Sequence, residues 1–279
     1  MKALFDQMSM QCSKNVTSVY STSFSLAVKM LSPKIQGAIH AIYGFVRLTD
    51  EIVDSFHDFD KELLLNEFEE DLRNALKRKI SLNPILNAFQ EVVHKYNIDY
   101  ELIEAFLSSM RADLYKENYN TKLEYETYIY GSADVVGLMC LKVFVQGNQK
   151  KYIKLKKPAM KLGSAFQKVN FLRDLKDDSE LLNRSYFPHL KGKALKENTK
   201  TEIITEIAND FEEAYSGIVQ LPIVAKFGVY TAYIYYKKLL IKISKANIEE
   251  IKASRIRISN PTKLMLLARS FVSYKLNLL

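Results

Sequence analysis

The residues best equipped for chemistry fall in one stretch, Gln167-Lys168-Val169-Asn170-Phe171-Leu172-Arg173-Asp174-Leu175-Lys176-Asp177-Asp178. Phe166, Val169, Leu172 and Leu175 recur at helical spacing, which predicts a helix with one buried face. At about 100° per residue, Asp174 falls about 40° from Asn170, Asp177 about 20° to the other side and Asp178 about 80° away. Gln167 lies one turn earlier. An amide and up to three carboxylates would then point one way. Like charges at this spacing repel, and a hard divalent cation, which takes oxygen ligands, can offset them. Asp50-Glu51-Ile52-Val53-Asp54 supplies a second set, with Asp50 and Asp54 at i and i+4 on another apolar-periodic segment. That pair alone reads as a solvated helix face. Both clusters together, with Asn170, Arg173 and Arg47 interleaved, point to two facing helices that cage Mg²⁺ and a substrate phosphate.

The elements that must position these groups read as helices. The periodic pattern begins over Lys14–Met30, after Ser13 as a candidate N-cap. Ser32-Pro33 reads as an N-cap followed by proline at the first helical position, opening a helix to about Phe56 that carries Arg47, Asp50 and Asp54. Lys61–Lys79, Asn83–Asn97 and a segment from Asp99 to about Tyr115 follow. Thr121–Val145 is a long apolar helix containing Gly131 and Gly137, which mark close packing or a break that opens a cavity. The helix with the second cluster runs from about Lys150 to Leu182, and 183–198 reads as a loop. Thr199–Leu221, Pro222–Ser244 and Pro261–Leu276 complete the chain. No run alternates with period two over several strands, so the expectation is one all-α domain over residues 1–279.

Composition narrows the function. Of 279 residues, 48% are hydrophobic, enough for a large core. Lysines and arginines give a net charge of +8, but acids are interleaved with them, so no nucleic-acid footprint is expected. A basic surface suits anionic substrates or peripheral contact with an anionic membrane. Cys12 and Cys140 lack metal-ligand or disulfide spacing, which fits a reducing cytoplasm. The N-terminus lacks the apolar core of a signal peptide, and no apolar run reaches membrane-spanning length. The expected location is cytoplasmic, at most peripheral to the inner face of the cell membrane. Nothing in the sequence specifies an oligomeric state.

Tyr20-Ser21-Thr22-Ser23-Phe24, the stretch from Tyr43 to Asp54, and Gln167–Asp178 resemble the squalene/phytoene synthases in content, order and gaps. Met110-Arg111-Ala112-Asp113-Leu114, Val135-Val136-Gly137-Leu138-Met139 and Arg184-Ser185-Tyr186-Phe187-Pro188 extend the likeness from about Asn15 to the end. The carotenoid branch, phytoene synthase, resembles it best. The resemblance implies an all-α isoprenoid-synthase bundle around a central apolar cavity. There two prenyl diphosphates would condense head to head, in the presence of Mg²⁺ (or Mn²⁺), through a cyclopropylcarbinyl diphosphate. With two geranylgeranyl diphosphates the product is phytoene, and no NADPH is needed.

By position, Asp50 and Asp54 resemble the first metal-binding pair, and Asn170, Asp174 and Asp178 the second set; Asp177 competes with Asp178. Asp50, Asp54, Asp174, Asp178 and Tyr43 are the implied catalytic residues, and Ser21, Ser23, Arg47, Gln167, Arg173 and Tyr236 the implied substrate contacts. Arg suits diphosphate oxygens by its fork geometry, although a salt bridge to a neighbouring acid is the simpler role for Arg47 and Arg173. His40 reads as a core or surface histidine rather than a base. Glu51 stands where many relatives carry Asp, and Asp134 where glycine is common. A C30 squalene or dehydrosqualene synthase acting on farnesyl diphosphate is the alternative; Val28, one turn beyond Phe24, is small and favours a deeper pocket. A non-catalytic assembly factor of the same fold is the remote alternative, and it should have lost carboxylates from one cluster.

Overall fold

A computed structural model of the chain describes residues 1–176, 184–188 and 195–275. Asp177 and Asp178, both sequence candidates, lie outside the described residues. The fold class is all-α: among the described residues the only pairing of extended backbone is an isolated bridge between Asn118 and Ser185.

The first half comprises α1 (Lys2–Tyr20), α2 (Thr22–Lys29), α3 (Pro33–Asp54), α4 (Lys61–Arg78), α5 (Pro84–Tyr96) and α6 (Tyr100–Ala112). Local chemistry sets most of these starts. Pro33 and Pro84 occupy the first helical positions, and the side chains of Asp60 and Asn83 accept from Leu63 N (2.9 Å) and Ile85 N (3.0 Å). The expected Lys14–Met30 helix is two helices. Ser21 is extended (φ −146°, ψ 97°), and its hydroxyl accepts from Phe24 N to cap α2. Serine and threonine hydroxyls compete for backbone groups and favour such breaks. Asp99 makes no capping bond; it pairs with Lys142 at 2.9 Å instead.

The expected Thr121–Val145 helix is interrupted. It divides into α7 (Lys122–Ile129), a π-helical turn (Tyr130–Asp134) and α8 (Val135–Phe144). Gly131 in the turn lies so close to α6 that a Cβ there would meet Ala105 O at 2.6 Å. Helix α9 (Gln149–Arg173) follows, with Pro158 inside it. The expected stretch to Leu182 is interrupted within the described residues. The helix ends at Arg173, and Asp174 takes the cap position with its side chain held by arginines. Then come α10 (Glu197–Ile218), α11 (Ile223–Lys245), α12 (Ile248–Ala253) and α13 (Asn260–Lys275). The sequence reading missed α12, which a capping box between Asn247 and Glu250 starts.

α3 packs on α1, α5 and α8, and α9 on α8, α10 and the π-turn. Phe45 stacks on Phe89 at 4.0 Å between centroids and lies 5.4 Å from Phe106, which fixes α3 against α5 and α6. At the crossing of α9 and the π-turn, a Cβ on Gly163 would lie 2.8 Å from Ala133 O. The backbones approach that closely because glycine is there. Among the described residues, no helix is long and apolar enough to cross a membrane.

Candidate active site

Between α3 and α9 lies a cavity of about 530 Å³, within the usual range for small-molecule sites. Its polar end is lined by Tyr20, Ser21, Tyr43, Arg47, Asp50, Asp54, Asp113, Gln167, Asn170, Arg173, Asp174, Tyr236 and Arg255. Its apolar part includes Val28, Leu31, Phe144, Leu155, Leu162, Leu221 and Val229. The structure therefore brings Asp50 and Asp54 from α3 to the same hollow as Asn170 and Asp174 from α9. Ser23 is half-buried and is not among the lining residues.

The α3 wall is short of positive charge. Burial, and then the neighbouring Asp54 carboxylate, push the Asp50 carboxyl up to about 8, against the pull of Arg47. Arg47 Nη1 lies 3.9 Å from Asp50 Oδ2, while Nη2 is engaged by Glu51. Glu51 at the departure from the family pattern is thus the partner of Arg47. The Arg47 guanidinium also sits 4.4 Å above the ring of Tyr20, and its buried Nε has no hydrogen-bond partner among the described residues. An unpartnered buried N–H beside the cavity suits an anionic ligand. Asp54 accepts from Arg184 Nη1 at 2.7 Å.

The α9 wall is better neutralised. Arg173 Nε donates to Asp174 Oδ1 at 2.9 Å, and Arg255 Nε approaches the same oxygen at 2.8 Å. Tyr236 donates to Asn170 Oδ1 at 3.3 Å and stacks on Phe166 at 4.0 Å. Tyr43 stacks on Phe24 at 4.8 Å, and burial pushes its hydroxyl up to about 12. A neutral phenol there serves as a hydrogen-bond donor.

The sequence analysis gave no role to three residues that the structure places here. Arg184 is buried and spans two acids: besides Asp54, its Nη2 donates to the Asp113 backbone carbonyl at 2.7 Å, and Nη1 lies 3.9 Å from Asp113 Oδ2. Asp113 accepts from Tyr128 (2.7 Å) and Tyr119 (3.3 Å), and burial pushes it up to about 7. Arg184 and Asp113 stood in quoted motifs, and their spacing carried no hint of contact. Arg255 follows the short helix that was missed. His40, by contrast, is buried away from the cavity lining. Its Nδ1 lies 2.9 Å from Thr17 Oγ1, whose proton goes to Ser13 O. Asp134 is buried and accepts from Ser164 at 2.7 Å; burial pushes it up to about 7.

A family model described as Squalene/phytoene synthase matches residues 17–262. The chain belongs to the squalene/phytoene synthase family. It is therefore one of a family of prenyltransferases. Among curated relatives of this family, it is 28% identical over 282 residues to Phytoene synthase 2, chloroplastic, of Solanum lycopersicum, covering 93% of this chain and 90% of that one. It is 28% identical over 280 residues to 15-cis-phytoene synthase of Synechocystis, covering 91% and 82%. Among solved structures, a dehydrosqualene synthase superposes with a TM-score of 0.82 at 21% identity, covering 97% of this chain and 98% of that one. That likeness is one of fold, the all-α architecture of the squalene/phytoene synthases.

The donor set of this family member fits a hard divalent cation. Among the described residues, no three His, Cys, Asp or Glu side chains converge as a self-contained metal site. Each wall instead offers two oxygen side chains, Asp50 with Asp54 and Asn170 with Asp174. Mg²⁺ is typically held by one or two carboxylates, with water and substrate phosphate completing its shell. The under-neutralised α3 pair would gain most from a bound cation.

Proposed function

We propose that this chain is a phytoene synthase, condensing two geranylgeranyl diphosphates head to head through a cyclopropylcarbinyl diphosphate, with release of diphosphate. The observation that carries the reading is the single cavity with two oxygen-donor walls and three arginines at one end and apolar side chains beyond. An isoprenoid diphosphate has that same polarity along its length. The named relatives in plants and cyanobacteria support the C40 reaction over other members of the family.

Asp50, Asp54, Asn170 and Asp174 would hold Mg²⁺, with Asp178 as a further candidate from outside the described residues. Bound Mg²⁺ would supply charge neutralisation for the departing diphosphate. Arg47, Arg173 and Arg255, which line this end of the cavity, would turn guanidinium groups to the same oxygens, in a fork geometry that matches them. Tyr43 and Tyr236 border this region as neutral phenols and, with Phe24 and Phe166, offer ring faces that favour passing positive charge. The apolar walls exclude water, which would otherwise capture a carbocation. The diphosphate just released is the base we assign to the final proton loss, because His40 is turned to Thr17.

The C30 alternative would use the same polar end with two farnesyl diphosphates. Val28 is 1% exposed on the cavity wall, and its small side chain leaves depth for the longer chain. Incubation with C15 or C20 diphosphates and Mg²⁺, with and without NADPH, followed by product chromatography, tests the reading. A C40 hydrocarbon from the C20 substrate without NADPH is expected; a C30 product alone selects the alternative, and no hydrocarbon rejects both.

A further inference from the structure

Asp134, which stands where glycine is common in the family, is buried behind the cavity wall and does not line it. It is the last residue of the π-turn, and the two residues before it, Ser132 and Ala133, do line the cavity. Val135 N donates five residues back, to Tyr130 O, so this turn carries one more residue than an α-helical turn. Such turns are rare and fall mostly at functional sites. This one rests on α9. Gly163 also lines the cavity, and a Cβ there would lie 2.8 Å from Ala133 O and 3.1 Å from Asp134 Cα. One residue on, Ser164 Oγ donates to Asp134 Oδ1 at 2.7 Å. Among the described residues, that is the one hydrogen bond of the Asp134 side chain.

The cations nearby are engaged elsewhere. Lys161, Ser164 and Lys168 follow on α9 at i, i+3 and i+7, and none of them lines the cavity. Lys161 Nζ donates to Asp210 Oδ1 at 2.7 Å; Lys168 Nζ donates to Asp210 Oδ2 at 2.6 Å and also to Glu206. Helix α10 thus takes both lysines and fixes the rear face of α9. Asp134 is left with a neutral donor, which suits a carboxyl that burial pushes up to about 7. The Ser164 bond therefore ties the π-turn to a helix that α10 already holds.

We infer that Asp134 is a positioning residue: through its bond with Ser164 it holds the π-turn on α9 and so sets where Ser132 and Ala133 stand in the cavity wall against the isoprenoid chain. The inference rests on the proposed function for the identity of that chain. Asp134 lies outside the cavity lining and apart from the two oxygen-donor walls, so its effect falls on how the apolar chain is held and not on departure of the diphosphate. A wall that grips the chain equally before and during reaction changes KM and leaves kcat alone. Loss of folded protein does the reverse, lowering apparent kcat with KM unchanged.

The test compares Asp134→Leu, which replaces the acceptor by methyl groups, Asp134→Asn, which keeps an acceptor, Ser164→Ala, and the double variant D134L/S164A. Asp134→Leu and Ser164→Ala should raise KM for the C20 diphosphate about fivefold, the worth of one ordinary hydrogen bond, with kcat little changed. Asp134→Asn should stay near the parent. The double variant should match either single, since both remove the same bond. Calorimetry with an unreactive thio-analogue of geranylgeranyl diphosphate should show the same loss, while inorganic diphosphate with Mg²⁺ should bind every variant as it binds the parent. Amide hydrogen exchange over residues 130–134 should quicken in Asp134→Leu and Ser164→Ala and stay as in the parent in Asp134→Asn. A fall in apparent kcat with unchanged KM overturns the inference, and so does an Asn variant as impaired as the Leu variant. Exchange, read without ligand, separates the two readings. The expected exchange pattern in a parent that makes no hydrocarbon sinks only the proposed function. Hydrocarbon from a parent whose Asp134→Leu variant exchanges no faster sinks only the clamp.

Discussion

Arg184 offers a sharp test of how the α3 wall is held. Its guanidinium is 7% exposed and stands between two acids, 2.7 Å from Asp54 Oδ1 and 3.9 Å from Asp113 Oδ2, while also donating to the Asp113 carbonyl. Arg184→Met keeps much of the volume and removes the charge. Asp113 is then buried with only its tyrosine donors, and its carbonyl loses a partner. Breaking a buried pair from one side typically costs about 3–5 kcal/mol. Adding Asp113→Asn removes the buried acid left without its cation, so the double variant should be more stable than the sum of the singles predicts, by about 1–3 kcal/mol. Urea denaturation of the four proteins at pH 7, followed by far-UV circular dichroism, measures both quantities. A loss below about 1 kcal/mol for Arg184→Met, or strict additivity in the double variant, refutes the assigned role of Arg184.

Three other outcomes follow from the same geometry. Asp50→Asn or Asp174→Asn should lower turnover at least about a hundredfold, and Asp50→Asn should not lower the melting temperature, because burial and the Asp54 carboxylate already disfavour a charge at that position; EDTA should stop the parent enzyme and Mg²⁺ or Mn²⁺ restore it. Val28→Phe should shift product from C40 toward C30 on chromatography, with an overpacking cost of about 1–3 kcal/mol in the urea midpoint. Burial, with Lys14 and Lys29 adding to it, depresses His40 from 6.5 to about 4. The unfolded chain therefore takes up a proton below pH 6.5 that the folded chain refuses, and stability contributed by neutral His40 is lost as pH falls from 6.5 toward 4, by up to about 1.4 kcal/mol per pH unit. His40→Gln should flatten that part of the pH–stability curve measured by urea midpoints.

The sequence disclosed what local chemistry governs. Ser32-Pro33 marked the start of α3, and Asp60 and Asn83 the starts of α4 and α5, because caps act within one turn. The i, i+4 spacing of Asp50 and Asp54, and of Asn170 and Asp174, was enough to put each pair on one wall. Interruptions were harder to see. Ser21 breaks a stretch that reads as one helix, and α9 ends before Asp174, whose side chain two arginines hold. Contacts across the chain were invisible: Arg184 meets Asp54 over 130 residues, and Arg255 meets Asp174 over 81. No periodicity encodes such a pairing. The π-turn at Tyr130–Asp134 was half legible, since Gly131 signalled close packing or a break and the structure has both.

The central claim is that the two walls hold divalent cations against the diphosphate end of an isoprenoid. Anomalous diffraction from crystals grown with Mn²⁺ and an unreactive thio-analogue of geranylgeranyl diphosphate tests it most directly. The account predicts manganese peaks in contact with Asp50 and Asp54 and with Asn170 and Asp174, and the isoprenoid tail running past Val28. Manganese bound elsewhere, or a diphosphate seated away from both walls, contradicts it.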